Sequence, residues 1–462
     1  MEKNGLIYGV SDRPSVGKTL IFAFQQMLAI LAATIAVPAI IGNGMSQSAA
    51  LFGAGVGTIV YLLFTKFKSP VFLGSSFAFI GSMFAAFAGA ASVSLGYLGL
   101  IIGALFAGLV YVAIALVVKF CGTGWINKIM PAVVIGPTVA IIGLSLAGNA
   151  VGDLLSGSFK DAAGVVTTNK FLALFCGLVT LFTVVACSVY GKKFVKMIPF
   201  ILGILAGYIV AAIFTGIGYL ANNDALKVID FTKFASMQWY PDFTFVKAFF
   251  SKETWDNFSW GYVGTIAVAY IPVAFVVFAE HIADHKNLSS VIGADLLEEP
   301  GLHRTLLGDG VGSIAGALFG GCPNTTYGES VGCVAISKNA SITTIITTAI
   351  LCIVCSFIAP FVTLLATIPS CVMGGVCMTL YGFIAVSGLK MIQKEDLSDS
   401  RNLFTVSVIL IAGIGGLSLT FGKVTLTSVA CALILGILVY LVTGFCKKDT
   451  EVKVDEEHEN ID

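Results

Sequence analysis

Charge is what this chain has least of. Only 11% of its 462 residues are Asp, Glu, Lys or Arg, less than half of the roughly 25% found in a soluble domain. Water alone does not keep a chain that is 57% hydrophobic in solution, so the deficit excludes a soluble globular protein and predicts an integral membrane protein. Net charge is also absent, since 26 basic and 26 acidic side chains cancel; no basic face is available for nucleic acid. The acidic end from Glu451 to Asp462 reads as a solvated tail without a role. A disulfide framework or zinc knuckle is lacking, because the eleven Cys sit mostly within apolar runs, Cys121 and Cys446 near run ends and Cys352 and Cys355 deep in one; they read as small packing residues. The N-terminus, with Glu2 and Asp12 beside Lys3, Arg13 and Lys18, leads into an apolar segment without a small-residue cleavage site, so no cleaved signal peptide is expected. His281-x3-His285 lacks the H-E-x-x-H order and a third ligand, so neither metal nor cofactor is expected. No strand precedes Gly308-Asp-Gly-Val-Gly312, whose glycines continue at Gly316; the spacing suits close helix packing in lipid rather than a dinucleotide loop.

What is there is long apolar runs. Stretches free of Asp, Glu, Lys and Arg cover 19–65, 69–118, 129–152, 171–191, 197–223, 257–279, 310–328, 339–389, 402–422 and 424–446. A spanning helix needs about 20 apolar residues, so the three longest runs each hold at least two crossings. Twelve full spans and two broken ones follow, with the breaks near 71–80 and 322–331. With the N-terminus inside, only Lys160, Lys170, Lys227, Lys233, Lys247, Lys252 and Lys423 fall outside, and all other Lys/Arg, including Lys66, Lys68, Lys192, Lys193, Lys196, Lys390, Lys394, Arg401, Lys447 and Lys448, fall inside. That bias supports fourteen segments with both termini cytoplasmic. Dropping one broken crossing would invert every later loop.

Against this background three acids stand out. Glu280 ends the run 257–279 and Glu329 closes the Gly/Pro-broken run 310–328. A charge at membrane depth costs about 2.5 to 3.5 kcal/mol, so it marks a functional site. In Glu280-His281-Ile282-Ala283-Asp284-His285, helical spacing puts Glu280 and Asp284 on one face. Acids in a low-dielectric cavity can load and release protons. The alternative is that this stretch merely caps a cytoplasmic helix end, and for Glu329 that it caps a buried helix. Glu329 lies beside Tyr327 and Gly328, in a break whose backbone N–H groups are free to face a solute. Such a site suits a neutral solute with both donors and acceptors. Tyr381 faces either the site or the core on this reading, and Ser75 and Ser76 have no base nearby in sequence that would make a hydrolase.

The two halves repeat faintly. Gln25 and Gln26 put amides in the first helix, and roughly fifty residues later comes the break Pro70-Val-Phe-Leu-Gly-Ser-Ser-Phe-Ala-Phe79; Glu280 and His281 precede Gly320-Gly-Cys-Pro-Asn-Thr-Thr-Tyr-Gly-Glu329 by a similar distance. Seven segments per half make the second repeat inverted. The expected division is a cytoplasmic N-terminus over 1–18, a first repeat over 19–255, a second over 256–446 and a cytoplasmic tail over 447–462.

Gly-Ser-Ser-Phe-Ala-Phe at 74–79, Ala-Glu-His at 279–281, Pro-Gly-Leu-His-Arg at 300–304 and Pro-Asn-Thr-Thr-Tyr-Gly-Glu at 323–329 closely resemble the bacterial uracil-transporting branch of the nucleobase/ascorbate transporter (nucleobase:cation symporter-2) family. The similarity runs from Gly9-Val-Ser-Asp-Arg-Pro14 to roughly residue 445. The resemblance implies an all-α polytopic membrane protein of fourteen segments in a 7+7 inverted repeat, with short strands in broken segments 3 and 10 and separate core and gate domains. It implies that Glu280 and Glu329 accept the ring N–H groups of uracil, that Phe77 and Gly328 or Tyr327 supply backbone contacts, and that Asp284 shares proton coupling with Glu280 and Glu329. Gln26, Ser76 and Tyr381 are further candidates to line the site. Gln26 departs from the family, whose relatives often carry His there. It further implies a proton-coupled uracil importer in the cell (inner) membrane and a homodimer. The alternatives are a purine (xanthine or uric acid) symporter, against which Glu329 argues because the purine branch usually has an uncharged residue there, and Na+ in place of H+, against which stand the three acids and the lack of a carbonyl-plus-hydroxyl cage. An anion exchanger of related fold would want a cation where Glu329 stands.

Overall fold

The computed structural model describes residues 5–122, 124–125, 128, 130–160, 165–192, 194–421 and 424–445. Lys193, Lys423, Cys446 and the expected tail with Lys447 and Lys448 lie outside the described residues. The first half comprises α1 (Val16–Ile41), α2 (Gln47–Phe64), β1 (Leu73–Ser75), α3 (Ile80–Ala88), α4 (Val93–Cys121), α5 (Ala132–Ser145), α6 (Ala147–Leu154), α7 (Lys170–Tyr190) and α8 (Pro199–Leu220). The second comprises α9 (Trp260–Ile292), α10 (Leu302–Gly320), β2 (Asn324–Thr326), α11 (Gly328–Ser337), α12 (Ile342–Cys355), α13 (Ala359–Ala366), α14 (Ser370–Ile392), α15 (Ser400–Ile414), β3 (Leu419–Phe421), β4 (Val424–Leu426) and α16 (Ser428–Phe445).

With α5 and α6 taken as one helix over Ala132–Leu154, eight helices among the described residues are long and apolar enough to cross a membrane, nine if α12 and α13, bent by 85°, form one span. The chain is therefore a multi-pass membrane protein. Polar N-caps set the starts: the Ser92 side chain accepts from Leu95 N–H, Ser259 from Tyr262 N–H and Asn169 from Phe171 N–H. Without a hydrophobic drive between helices in lipid, small residues let backbones meet. On α2, Gly53 and Gly57 face Gly316 and Gly312 of α10, and a Cβ on Gly57 would come 2.8 Å from the Gly312 carbonyl oxygen.

Both broken segments contain the expected strand. β1 and β2 pair antiparallel, Leu73 opposite Thr326 and Ser75 opposite Asn324. Their flanks are held by α2 and α10: the Thr58 hydroxyl accepts from Leu73 N–H at 2.9 Å, Asn324 Nδ2 donates to Gly53 O at 2.9 Å, and the Ser313 hydroxyl donates to Asn324 O. Because the strands run antiparallel, α3 and α11 follow from opposite ends of the pair. The runs 402–422 and 424–446, read as full spans, instead give a 15-residue and an 18-residue helix joined by the β3–β4 hairpin. Gly413, Gly415 and Gly416 explain the difference: Gly416 takes a φ of +72°, and the β-branched and aromatic residues after it favour strand.

Candidate functional site

Three helices turn one face each toward a cavity of about 380 Å³. On α9 the face is Glu280, Ala283, Asp284 and Asn287; on α11 it is Glu329, Gly332, Cys333 and Ile336; on α14 it is Leu380, Phe383, Ile384 and Ser387. These are i, i+3, i+4, i+7 spacings, so helical geometry alone lines each wall. Ala29 of α1, Val139 of α5, Phe200 of α8 and Ser188 of α7 complete it, with Lys196 from the short helix Phe194–Met197 at its edge. One wall is thus acidic and the other aliphatic and aromatic, the composition of a site for a small flat polar solute.

The acids differ in how they are held. Asp284 accepts a hydrogen bond from the Thr326 hydroxyl of β2 at 2.8 Å, and Gly328 lies close enough that a Cβ there would sit 3.7 Å from Asp284 Oδ1. Among the described residues neither Glu280 nor Glu329 has a side-chain hydrogen-bond partner or an ion pair. Glu329 is in the first turn of α11, where backbone N–H groups lack intrahelical acceptors, and Gly328 beside it is exposed. The site therefore offers carboxylate acceptors from two helices and backbone donors from one.

Glu280, Asp284, Gly328 and Glu329 come together in this cavity; the other candidates stand around it. Tyr327 N–H is bonded to Phe72 O at 3.2 Å and its hydroxyl donates to Ser75 O at 2.8 Å, so Tyr327 closes the strand pair beneath the site. Gly74 is what makes room for its ring. Ser76 N–H is taken by Pro323 O at 2.9 Å, and its hydroxyl is buried. Gln26 Nε2 donates to the Ser330 hydroxyl at 2.6 Å, one residue past Glu329. Phe77 lines a separate cavity of about 240 Å³ with Ser145, Asn149 and Thr427. Its ring meets Tyr381 edge-on at 5.8 Å. Tyr381 is itself buried, with Leu380 and Ile384 flanking it on the first cavity.

Behind the acids runs a buried polar chain that sequence reasoning did not see. His281 Nδ1 is 2.7 Å from Asp309 Oδ2 and its Nε2 3.0 Å from the Thr305 hydroxyl, while His285 stacks on His281 at 4.0 Å and bonds the Tyr61 hydroxyl at 2.7 Å. An acid inside the glycine-rich α10 was the signal available. Lys196 and Asn287 were also missed, because nothing in their local sequence says that they reach a shared cavity. Outside the spans, the Lys68 ammonium bonded to Glu299 holds that carboxyl below its usual range and ties the end of α2 to the loop entering α10.

A multi-pass helical membrane protein that encloses an acidic cavity between the helix of a broken segment and a set of longer helices is a transporter. The chain belongs to the permease family: that family's model matches residues 17–422. It is 37% identical over 445 residues to the uracil permease of Bacillus caldolyticus, covering 95% of each chain. It is 32% identical over 457 residues to the uracil permease of Escherichia coli K12, covering 98% of each. Among solved structures, the transmembrane domain of the cyanobacterium bicarbonate transporter BicA shares the fold, with a TM-score of 0.62 at 16% identity over 92% of this chain and 96% of that one.

Proposed function

We propose that the protein imports uracil across the cell membrane by proton-coupled alternating access. The observation that carries the reading is the pair Glu280 and Glu329, on one cavity and free of side-chain partners, beside the first-turn N–H groups of α11. A uracil ring alternates N–H and C=O along one edge, so two carboxylates can accept its N–H groups while the backbone of Gly328 donates to a carbonyl between them. Phe200 and Phe383 offer apolar surface to the ring faces. Relatives over nearly the full length are uracil permeases, which supports the pyrimidine over xanthine or uric acid. Removing one acceptor from a site built for two N–H donors leaves a buried group unpaired, so Glu329 is also the specificity residue.

On this reading Asp284, with Glu280 and Glu329, carries the transported proton. Each proton moving inward gains about 2.3 kcal/mol per 100 mV, enough for roughly 50-fold accumulation of a neutral solute. The fourteen-segment count is reached by adding α3, α10, α11, the bent α12–α13, α15 and α16 to the eight long apolar helices as crossings, with repeats over 19–255 and 256–446 and both termini cytoplasmic. The core domain would be α1–α4 with α9–α13 and the gate α5–α8 with α14–α16, since these sets pack mainly among themselves and meet at the cavity. A homodimer through the gate completes the proposal.

The test is uptake of labelled uracil into proteoliposomes under an inside-alkaline gradient, with unlabelled xanthine as competitor. Gradient-driven accumulation that ignores xanthine is expected. Uptake indifferent to the gradient would remove the proton, and strong competition by xanthine would move the substrate to the purines.

A further inference from the structure

Lys196 is the one cation among the described residues lining the acidic cavity. It is exposed, and it belongs to the four-residue helix Phe194–Met197 that links α7 to α8. That link packs on α7 and α8 from one side and on α1 and α11 from the other. So a residue carried by the proposed gate lines the same cavity as acids carried by the proposed core. The acids that share the cavity with it are Glu280 and Asp284 from α9 and Glu329 from α11; the Cys333 thiol of α11 is the other titratable group on the wall. The lining residues of α1, α5, α7, α8 and α14 are uncharged.

We infer that Lys196 is a positioning residue for proton release: it lends the three carboxylates a positive neighbour while the cavity is open on its side, and withdraws it when the gate moves. The inference rests on the proposed proton coupling. A fixed cation in a partly desolvated cavity acts over several ångströms, because screening there is weaker than in bulk water. In this conformation it makes it easier for the transported proton to leave the acid that carries it, so that proton and substrate are released on the same side. If the gate's rotation carries the link away, the acids lose the cation and reload from the opposite side. The carboxylates bind; the lysine times their discharge. Its side chain need not touch the substrate.

Two transport modes separate this role from a structural one. Net uptake requires the proton to leave on the inner side in every cycle, whereas exchange of labelled for unlabelled uracil across the membrane can proceed with the site still protonated. For Lys196→Gln in proteoliposomes, net proton-driven uptake should fall about three- to tenfold while exchange stays within about twofold. Raising the internal pH by about one unit should recover most of the loss. Lys196→Arg, which keeps the charge, should behave as the unaltered protein. Unchanged net uptake in Lys196→Gln would overturn the inference, and so would equal loss of uptake and exchange, which would place Lys196 in folding or substrate binding. Failure of the underlying reading would show separately, as uptake by the unaltered protein that ignores the pH gradient.

Discussion

An amide cannot stand in for a carboxylate that accepts an N–H: it loses the charge and can turn its own N–H toward the substrate. Hydrogen bonds to charged groups are worth about 1.5 to 3 kcal/mol, so Glu329→Gln should weaken uracil binding by about ten- to a hundredfold, read as the concentration of unlabelled uracil that halves labelled binding to purified protein. Affinity within twofold of normal would take Glu329 out of the site. At this scale much of the site was legible. Glu280, Asp284 and Glu329 announce themselves because acids in apolar runs cost energy, and their spacing already put two on one face. Asn287 and Lys196 lie outside the charge-free runs, where a polar side chain is ordinary, so only the fold shows that they reach the cavity. Tyr327 was legible as important but not in its role: it locks the strand pair, and its neighbour Gly328 lines the cavity.

At the scale of elements, the site depends on how α1, β1 and α11 are pinned together. The Ser330 hydroxyl accepts from Gln26 Nε2 at 2.6 Å and from Phe72 N–H at 2.9 Å. Ser330→Ala leaves two buried donors short of an acceptor, at about 1 to 3 kcal/mol, and should lower the melting temperature of the purified protein and reduce uracil affinity together. An unchanged melting temperature would mean that the link holds no stability. Gly57→Ala tests the other flank. Its Cβ would press on the Gly312 carbonyl and on Asn324, the side chain that holds β2 to α2. Overpacking of this kind costs about 1 to 3 kcal/mol, so the variant should melt earlier; a melt as high as the unaltered protein's would show that α2 and α10 can part without strain. The Gly/Pro-broken segments could be read from the sequence as interrupted, and the family resemblance gave them strands. The β3–β4 hairpin could not be read, because the charge-free runs 402–422 and 424–446 on either side of Lys423 are each long enough for a helical span, and periodicity does not separate a short apolar strand from the end of a helix.

At the scale of the whole molecule, two cavities approach each other from opposite ends with an aromatic pair between them. The acidic cavity reaches past Ser387 to Met391 and Lys196. The second cavity ends on Phe77, which meets Tyr381. Alternating access asks for this layout, one path open to the site and the other stopped a single side-chain layer away. Lys247 reinforces the closed end: burial works against its charge, but bonds to Asp242 at 2.5 Å and Tyr97 at 3.2 Å hold it above the usual lysine range and tie that loop to α4. Exposed Ser387 should therefore be reachable from one side only. With Ser387→Cys in sealed vesicles of either orientation, a membrane-impermeant maleimide should label the thiol, above the background of the unaltered protein, only when the cytoplasmic face is outward, and saturating uracil should slow the labelling several-fold by filling the cavity. Asn149→Cys, on the second cavity, should label only in the opposite vesicles and should be slowed less by uracil, because the Phe77–Tyr381 layer lies between it and the acids. Equal labelling of Ser387→Cys from both faces would mean an open pore, and a proton-driven pump could not then hold its gradient across this protein.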